Sequence, residues 1–167
     1  MKHPLLDKLS KQLKSFMHEL HFDIPRQLEH ARSLGDLSEN AEYEMTKDRQ
    51  LFVESRIKQL EDLIKRLQSM DISNLPKNKA GYGSRVVVED LETGDRKQYL
   101  IVFPGEEPPF KQQNDILVTL ASPVAMALAG KSEGDVVTVR LPKGTFEWEI
   151  TELITFHDIV NVSEQVS

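Results

Sequence analysis

The stretch Ala31-Arg-Ser-Leu-Gly-Asp-Leu-Ser-Glu-Asn-Ala-Glu-Tyr43 decides how the first half of this 167-residue chain folds. Gly35 is the only glycine before Gly81, and Asp36, Glu39 and Glu42 fall within seven residues. Long stretches with helical spacing lie on either side. Upstream, Leu6, Leu9, Leu13, Phe16 and Leu20 recur at steps of three and four, a coiled-coil seam that continues through Ile24, Leu28 and Ala31. Downstream, Val53, Ile57, Leu60, Ile64 and Leu67 repeat the pattern, with Arg49, Glu54, Lys58, Glu61 and Lys65 on the faces between. Two seams joined by a short connector zip antiparallel, each covering the other's apolar stripe. The quoted stretch is then the tip of a helical hairpin, at the end of arms reaching roughly 45 Å.

One residue conflicts with a straight first arm. Pro25 lacks an N–H and costs a helix interior about 3 kcal/mol. A kink is expected near residues 21–25, or else a helix that stops there and restarts.

After Met70 the punctuation changes. Residues 71–84 are rich in Pro, Gly, Asn and Ser, which marks a boundary. The period then becomes that of strands. Arg85–Glu89 and Gln98–Phe103 flank a turn at Gly94, residues 105–109 form a loop, and Asp115–Thr119 reads as a third strand. Ser122 suits an N-cap, Pro123 a first helical position and Gly130 a left-handed stop, so one short helix is expected between them. Asp135–Leu141 and Thr145–Ile150 form a closing hairpin. In its second strand Phe146, Trp148 and Ile150 alternate with Glu147 and Glu149, so those aromatics belong to a core. The expected class is α+β. A coiled coil occupies residues 1–75 with its tip at 35–43, a linker 76–83, a sheet domain 84–158, and a frayed polar tail 159–167.

Composition narrows the function. No apolar run approaches the length of a membrane span, and the N-terminus lacks the pattern of a secretory signal, so a cytoplasmic location without membrane association is expected. The chain has no cysteine, which removes disulfides and thiolate metal sites, and its five histidines form no His-x-x-x-His pair. Residues 1–75 hold 12 Lys and Arg against 13 Asp and Glu, and residues 76–167 hold 9 against 14. An acidic chain is a poor general binder of nucleic acid, where phosphate neutralisation supplies most of the affinity. Any nucleic acid nearby would be held by a protein partner.

Ala31-Arg-x-x-Gly-Asp-Leu-x-Glu-Asn-Ala-Glu-Tyr43 resembles the hairpin-tip signature of the bacterial Gre family of transcript cleavage factors. Ser122-Pro-Val-Ala-x-Ala-Leu-x-Gly-Lys-x-x-Gly-Asp135 resembles that family's C-terminal signature. The two occur in the family's order, and the likeness covers nearly the whole chain. Since the coil is not strongly basic, the likeness is to the less basic branch. The resemblance implies a coiled coil that enters the secondary channel of RNA polymerase, and an FKBP-like C-terminal domain that docks at the channel rim. It implies stimulated cleavage of backtracked RNA by the polymerase, with no active site in this chain. Carried over by position, Asp36 and Glu39 are the acidic pair that reaches the magnesium of the polymerase active site, and no cofactor belongs to the chain itself. Arg32, Lys47, Asn40 and Tyr43 are placed to contact the channel or the 3′ end of the nascent RNA. Ser122, Pro123 and Val124 match the docking segment. The expected assembly is a monomer on the polymerase. Pro25, the loop from Phe103 to Asp115 and the tail after Phe156 depart from the family's pattern.

The residues themselves leave other readings open. Asp36-x-x-Glu39 just before a helix is also a capping-box pattern, and capping and metal binding are compatible. Glu42, Glu44 and Asp48 suit first-turn acids facing a helix dipole. Arg32 and Lys47 fit surface ion pairs equally well, and Asn40 and Tyr43 fit packing at the tip. Ser122 and Pro123 are accounted for as a helix start. Two other functions compete: a channel-binding regulator or inhibitor without cleavage, and a prolyl isomerase, against which no aromatic-lined pocket is evident in residues 84–156.

Overall fold

The computed structural model of the chain describes residues 2–36 and 40–166, with side chains described through Val162. The chain forms two compact units, residues 1–70 and 71–167.

Unit 1 is the helical hairpin. Helix α1 spans Leu6–His18. A π-helical turn over Glu19–Asp23 follows directly, and then α2 over Ile24–Ser33. Helix α3 returns over Ala41–Ser69 and packs against both α1 and α2. The π turn answers the problem posed by Pro25. Proline has no N–H to give the carbonyl four residues back, and its ring crowds that carbonyl. The ladder widens ahead of it, so that Ile24 N–H reaches the Glu19 carbonyl five residues away. The helical run neither stops nor restarts. The extra residue also rotates the seam, burying Ile24 and leaving Phe22 outside, 54% exposed.

Ile24, Val53 and Ile57 form the centre of the hairpin core, lined by Leu13, Phe16, Met17, Leu20 and Leu28. Nearer the open end, Leu5, Leu6 and Leu9 of the first arm and Leu60, Leu63, Ile64 and Leu67 of the second are buried. His3 starts the first arm: its carbonyl accepts the Leu6 N–H at 3.1 Å and its Nδ1 the Leu5 N–H at 3.2 Å.

Unit 2 is a five-stranded sheet in the order β3-β2-β1-β5-β4. The strands are β1 Arg85–Asp90, β2 Arg96–Val102, β3 Asp115–Thr119, β4 Val136–Leu141 and β5 Gly144–Ile154. The β2–β3 pair is parallel and the others are antiparallel. A bulge between Val87 and Val88 lets Thr151 stand unpaired in the β1–β5 ladder. Helix α4, Pro123–Leu128, covers one face. Its Val124, Ala125 and Leu128 pack with Val86, Val88, Tyr99, Ile101, Val139, Trp148 and Ile150. This is the sheet-and-short-helix domain expected from the strand pattern and the family likeness.

Two parts of unit 2 differ from the expectation. Residues 76–83 read as a linker, yet Ala80 and Tyr82 are buried. Ala80 is held by its N–H on the Lys131 carbonyl at 2.7 Å and its carbonyl under the Gly130 N–H at 2.8 Å. The chain end, expected to be a frayed tail, is helix α5 over Phe156–Val166. Thr155 starts it: Asp158 Oδ2 accepts from both the Thr155 N–H and its hydroxyl, each at 2.9 Å. Phe156, Ile159 and Val160 are buried on its inner face.

Helix α5 packs on the loop between β2 and β3. Phe156 meets Tyr82 at 5.7 Å and Phe110 at 6.1 Å between ring centroids, and Tyr82 stacks on Phe103 at 4.6 Å. Two polar anchors hold the same loop. Glu106 accepts from the Tyr82 hydroxyl at 2.6 Å and from the Phe103 N–H at 2.9 Å. Arg85 grips both oxygens of Asp115 at 2.8 and 2.9 Å and donates to the Phe110 carbonyl.

Candidate functional site

The hairpin tip is built from the two helix ends. Helix α2 closes with the Ser33 hydroxyl on the His30 carbonyl at 2.6 Å and the Leu34 N–H on the Ala31 carbonyl at 3.2 Å. Gly35 then takes φ +128°, a region L side chains rarely enter, although a side chain there would meet nothing within 4 Å. Backbone conformation, not space, calls for glycine. Asp36 follows, with an exposed carboxylate. Glu39 lies outside the described residues, so its distance from Asp36 does too.

Helix α3 opens at Asn40, whose extended backbone places it as the N-cap. Its Oδ1 accepts the Tyr43 N–H at 3.1 Å. Its Nδ2 donates to the Ala31 carbonyl at 2.5 Å. The N-cap of α3 is therefore Asn40, four residues after Asp36. Glu42 and Glu44 stand exposed in the first turn, as acids facing a helix N-terminus should. Glu42 also lies 3.8 Å from His30 across the neck of the hairpin.

The remaining tip residues are spread over the surface. Arg32 is exposed in the last turn of α2, and Tyr43 is half-buried with its N–H engaged by Asn40. Lys47 is half-buried and donates to Gln50 at 2.8 Å. The structure thus brings Asn40, Tyr43 and Ala31 together, while Asp36 and Arg32 are exposed and Lys47 is half-buried. One cross-arm link escaped the sequence reading. Arg49 forms a two-pronged pair with Glu19, at 2.6 and 3.0 Å, and lies over the Phe52 ring at 5.0 Å. The Arg49 hydrogen bond holds the Glu19 carboxyl below the usual range. The signal was available, since the two residues sit at similar distances either side of the tip, flanking the seams.

Asp36 offers hard carboxylate oxygens of the kind magnesium prefers. Among the described residues no three His, Cys, Asp or Glu side chains are grouped to hold a metal ion. Asp36 is one such donor, and Glu39 lies outside the described residues.

The expected docking segment lies at the start of α4. The Ser122 hydroxyl caps the helix by accepting the Ala125 N–H at 3.2 Å. Val124 is buried in the sheet core, so it is not available as a surface contact. The exposed side chains there are Pro123 and Met126. Unit 2 also has a cleft of about 440 Å³, with Val88, Leu141, Phe146 and Trp148 forming its apolar part and Asp90, Lys97 and Lys143 among its polar lining. This corrects the expectation that no aromatic-lined pocket exists. The hydrogen bonds from the Thr93 and Glu92 N–H groups, and then from Trp148, keep the Asp90 carboxyl below its usual range.

Two family descriptions divide the chain close to where its two compact units meet. The family description "Transcription elongation factor, N-terminal" matches residues 5–68, and "Transcription elongation factor, GreA/GreB, C-term" matches residues 75–155. The chain is 40% identical over 146 residues to the transcription elongation factor GreA of Rickettsia canadensis (strain McKiel), covering 87% of this chain and 88% of that one. It is 40% identical over 154 residues to the GreA of Helicobacter hepaticus, covering 92% and 91%. The crystal structure of GreA factor homolog 1 from Thermus thermophilus is similar over 89% of this chain and 94% of that one, at 26% identity and a TM-score of 0.39. Both family matches end before α5.

Proposed function

The chain belongs to the GreA/GreB family of transcription elongation factors, and from that premise we propose that it stimulates RNA polymerase to cleave its own backtracked transcript. The observation that carries this reading is the exposed carboxylate of Asp36 at the end of a hairpin whose returning helix is 29 residues long. At 1.5 Å per residue that helix reaches about 43 Å, enough to carry an acid deep into a channel from a base outside it. Asp36, with Glu39, presents oxygens to magnesium held by the polymerase and to the water that attacks the RNA. The metal, when bound there, stabilises charge on the phosphoryl oxygens and makes that water a stronger nucleophile. The protein's own task is reach and aim. The Glu19–Arg49 pair and the Ile24–Val53–Ile57 core keep the arms together, and the clasp at Asn40 closes the tip.

On this reading the factor has no separate catalytic centre, works in the cytoplasm as a monomer, and docks on the polymerase through the exposed start of α4. No described helix is long and apolar enough to cross a membrane. The test is a defined backtracked elongation complex. Wild-type protein should accelerate cleavage and lower the magnesium concentration needed for half-maximal rate. Asp36→Ala with Glu39→Ala should reduce the stimulation by roughly a hundredfold or more, with affinity for the polymerase nearly unchanged. Pro123→Ala with Met126→Ala should do the reverse, weakening binding while leaving the rate at saturation intact. A wild-type protein that binds the polymerase without accelerating cleavage would reduce the chain to a channel-occupying regulator.

A further inference from the structure

We propose that Asn40 is the positioning residue of the tip, a two-way clasp whose Nδ2 bond to Ala31 aims the acidic loop, rather than a contact for RNA or the channel wall. The inference rests on the cleavage reading above and deepens it. A single side-chain amide serves both ends of the loop. Oδ1 accepts from Tyr43 N–H at 3.1 Å in the first turn of α3, and Nδ2 donates to the carbonyl of Ala31 at 2.5 Å in the last turn of α2. Only one of the two amide orientations satisfies both bonds, because N–H must meet carbonyl and C=O must meet N–H. The Ala31 carbonyl also accepts the Leu34 N–H at 3.2 Å. Asn40 therefore ties the start of the loop, through Ala31, to its end.

The site is selective about the residue it takes. Ala31 is fully buried at the neck, so the Asn40 amide approaches main chain and not side chain. Serine, threonine or aspartate could cap α3, since each offers an oxygen to the Tyr43 N–H. Aspartate, however, would set an anion against the Ala31 carbonyl in place of a donor. Asparagine alone among the common cap residues is both acceptor and donor at that reach. At the start of the loop Gly35 adopts a left-handed conformation, with nothing within 4 Å of where a side chain would begin. Tying the two helix ends together limits how far the loop between them can shift, and an error of about 1 Å in placing a catalytic group costs on the order of a hundredfold in rate.

Asn40→Asp separates the two bonds, because it keeps the cap and removes the clasp. Two readouts are needed. In the free protein, amide exchange should quicken at Leu34 and Gly35 while Tyr43 and the rest of α3 stay protected, and helix content should be unchanged. In the backtracked complex, cleavage at saturating Asn40→Asp should fall about tenfold to a hundredfold with polymerase affinity within twofold of wild type. Asn40→Ala should lose both bonds, adding faster exchange at Tyr43 to the same defect. Unchanged exchange at Leu34 and Gly35 in Asn40→Asp would overturn the clasp. Faster exchange with wild-type cleavage would overturn its positioning role. A loss of affinity matching the loss of rate would make Asn40 a contact residue instead. Absence of stimulation by the wild-type protein would sink the cleavage reading, and the exchange result would still report on the clasp by itself.

Discussion

His3 holds the start of the first arm through a ring nitrogen that must be unprotonated, since Nδ1 accepts the Leu5 N–H. Burial lowers its pKa to about 4. In the unfolded chain the imidazole protonates near pH 6.5. Between those values the unfolded state binds more protons than the folded one, so stability falls as pH drops from about 6.5 to about 4, then levels off. His3→Asn retains an acceptor without the titration. Its urea midpoint should decline less across that window than the wild-type midpoint does. The Arg85–Asp115 pair works in the same direction, at lower pH. Burial pushes the Asp115 carboxyl up, but hydrogen bonds from Arg85, the Gln112 N–H and Gln98 prevail and hold it below its usual value. The stability it contributes is present above the ordinary carboxylate range and is lost as pH falls through the lowered pKa. Arg85→Met would strand a carboxylate that is 0% exposed. It should cost about 3–5 kcal/mol in the unfolding of unit 2, measured by denaturant titration.

Helix α5 turns the chain end into part of a core. Phe156 fills the space under Gly83, where a Cβ would come within 2.4 Å of its ring and where φ is +74°. Gly83→Ala therefore meets both a clash and a strained backbone. Phe156→Ala opens a cavity beside Tyr82 and Phe110, and should cost about 3–5 kcal/mol. Near-UV circular dichroism of the Trp148 environment would follow the loss, with the helical signal of unit 1 retained. The same elements show what the sequence reveals and what it hides. The seams from Leu6 to Leu20 and from Val53 to Leu67 are legible because burial on one face imposes a period. The turns at Gly94 and Gly130 are legible because left-handed backbone calls for glycine. Asp36 is legible only through the family likeness, since spacing alone also suits a cap. The π turn has no period of its own, and Pro25 signals trouble without saying how the backbone resolves it. Helix α5 is concealed by polar residues, although Thr155 and Asp158 spell a capping box and Phe156, Ile159 and Val160 mark one face. Asn40 is overlooked as the cap because Asp36 and Glu39 draw the eye, and no local rule reports that a side chain will reach back nine residues to Ala31.

At the scale of the molecule, the two units are built differently. The hairpin core is a narrow stripe around Ile24, Val53 and Ile57, whereas unit 2 buries a continuous layer from Val86 to Ile150. Residues 71–167 should accordingly fold when produced alone, with native near-UV dichroism. Residues 1–70 alone should remain helical but melt at a lower temperature than unit 2. A folded 1–70 more heat-stable than 71–167 would contradict this division. The strand order also sets a clock for synthesis. Strand β1 is central, and its inner partner β5 pairs Arg85 with Ile154, about 70 residues later. At roughly 5–20 residues per second a ribosome needs several seconds to close that gap. Throughout that interval the helical hairpin can already be zipped, while β1 and β2 wait with one edge open to any strand that passes. The half of the protein made first is ready at once, and the sheet that follows is the half most in need of protection while the chain is being born.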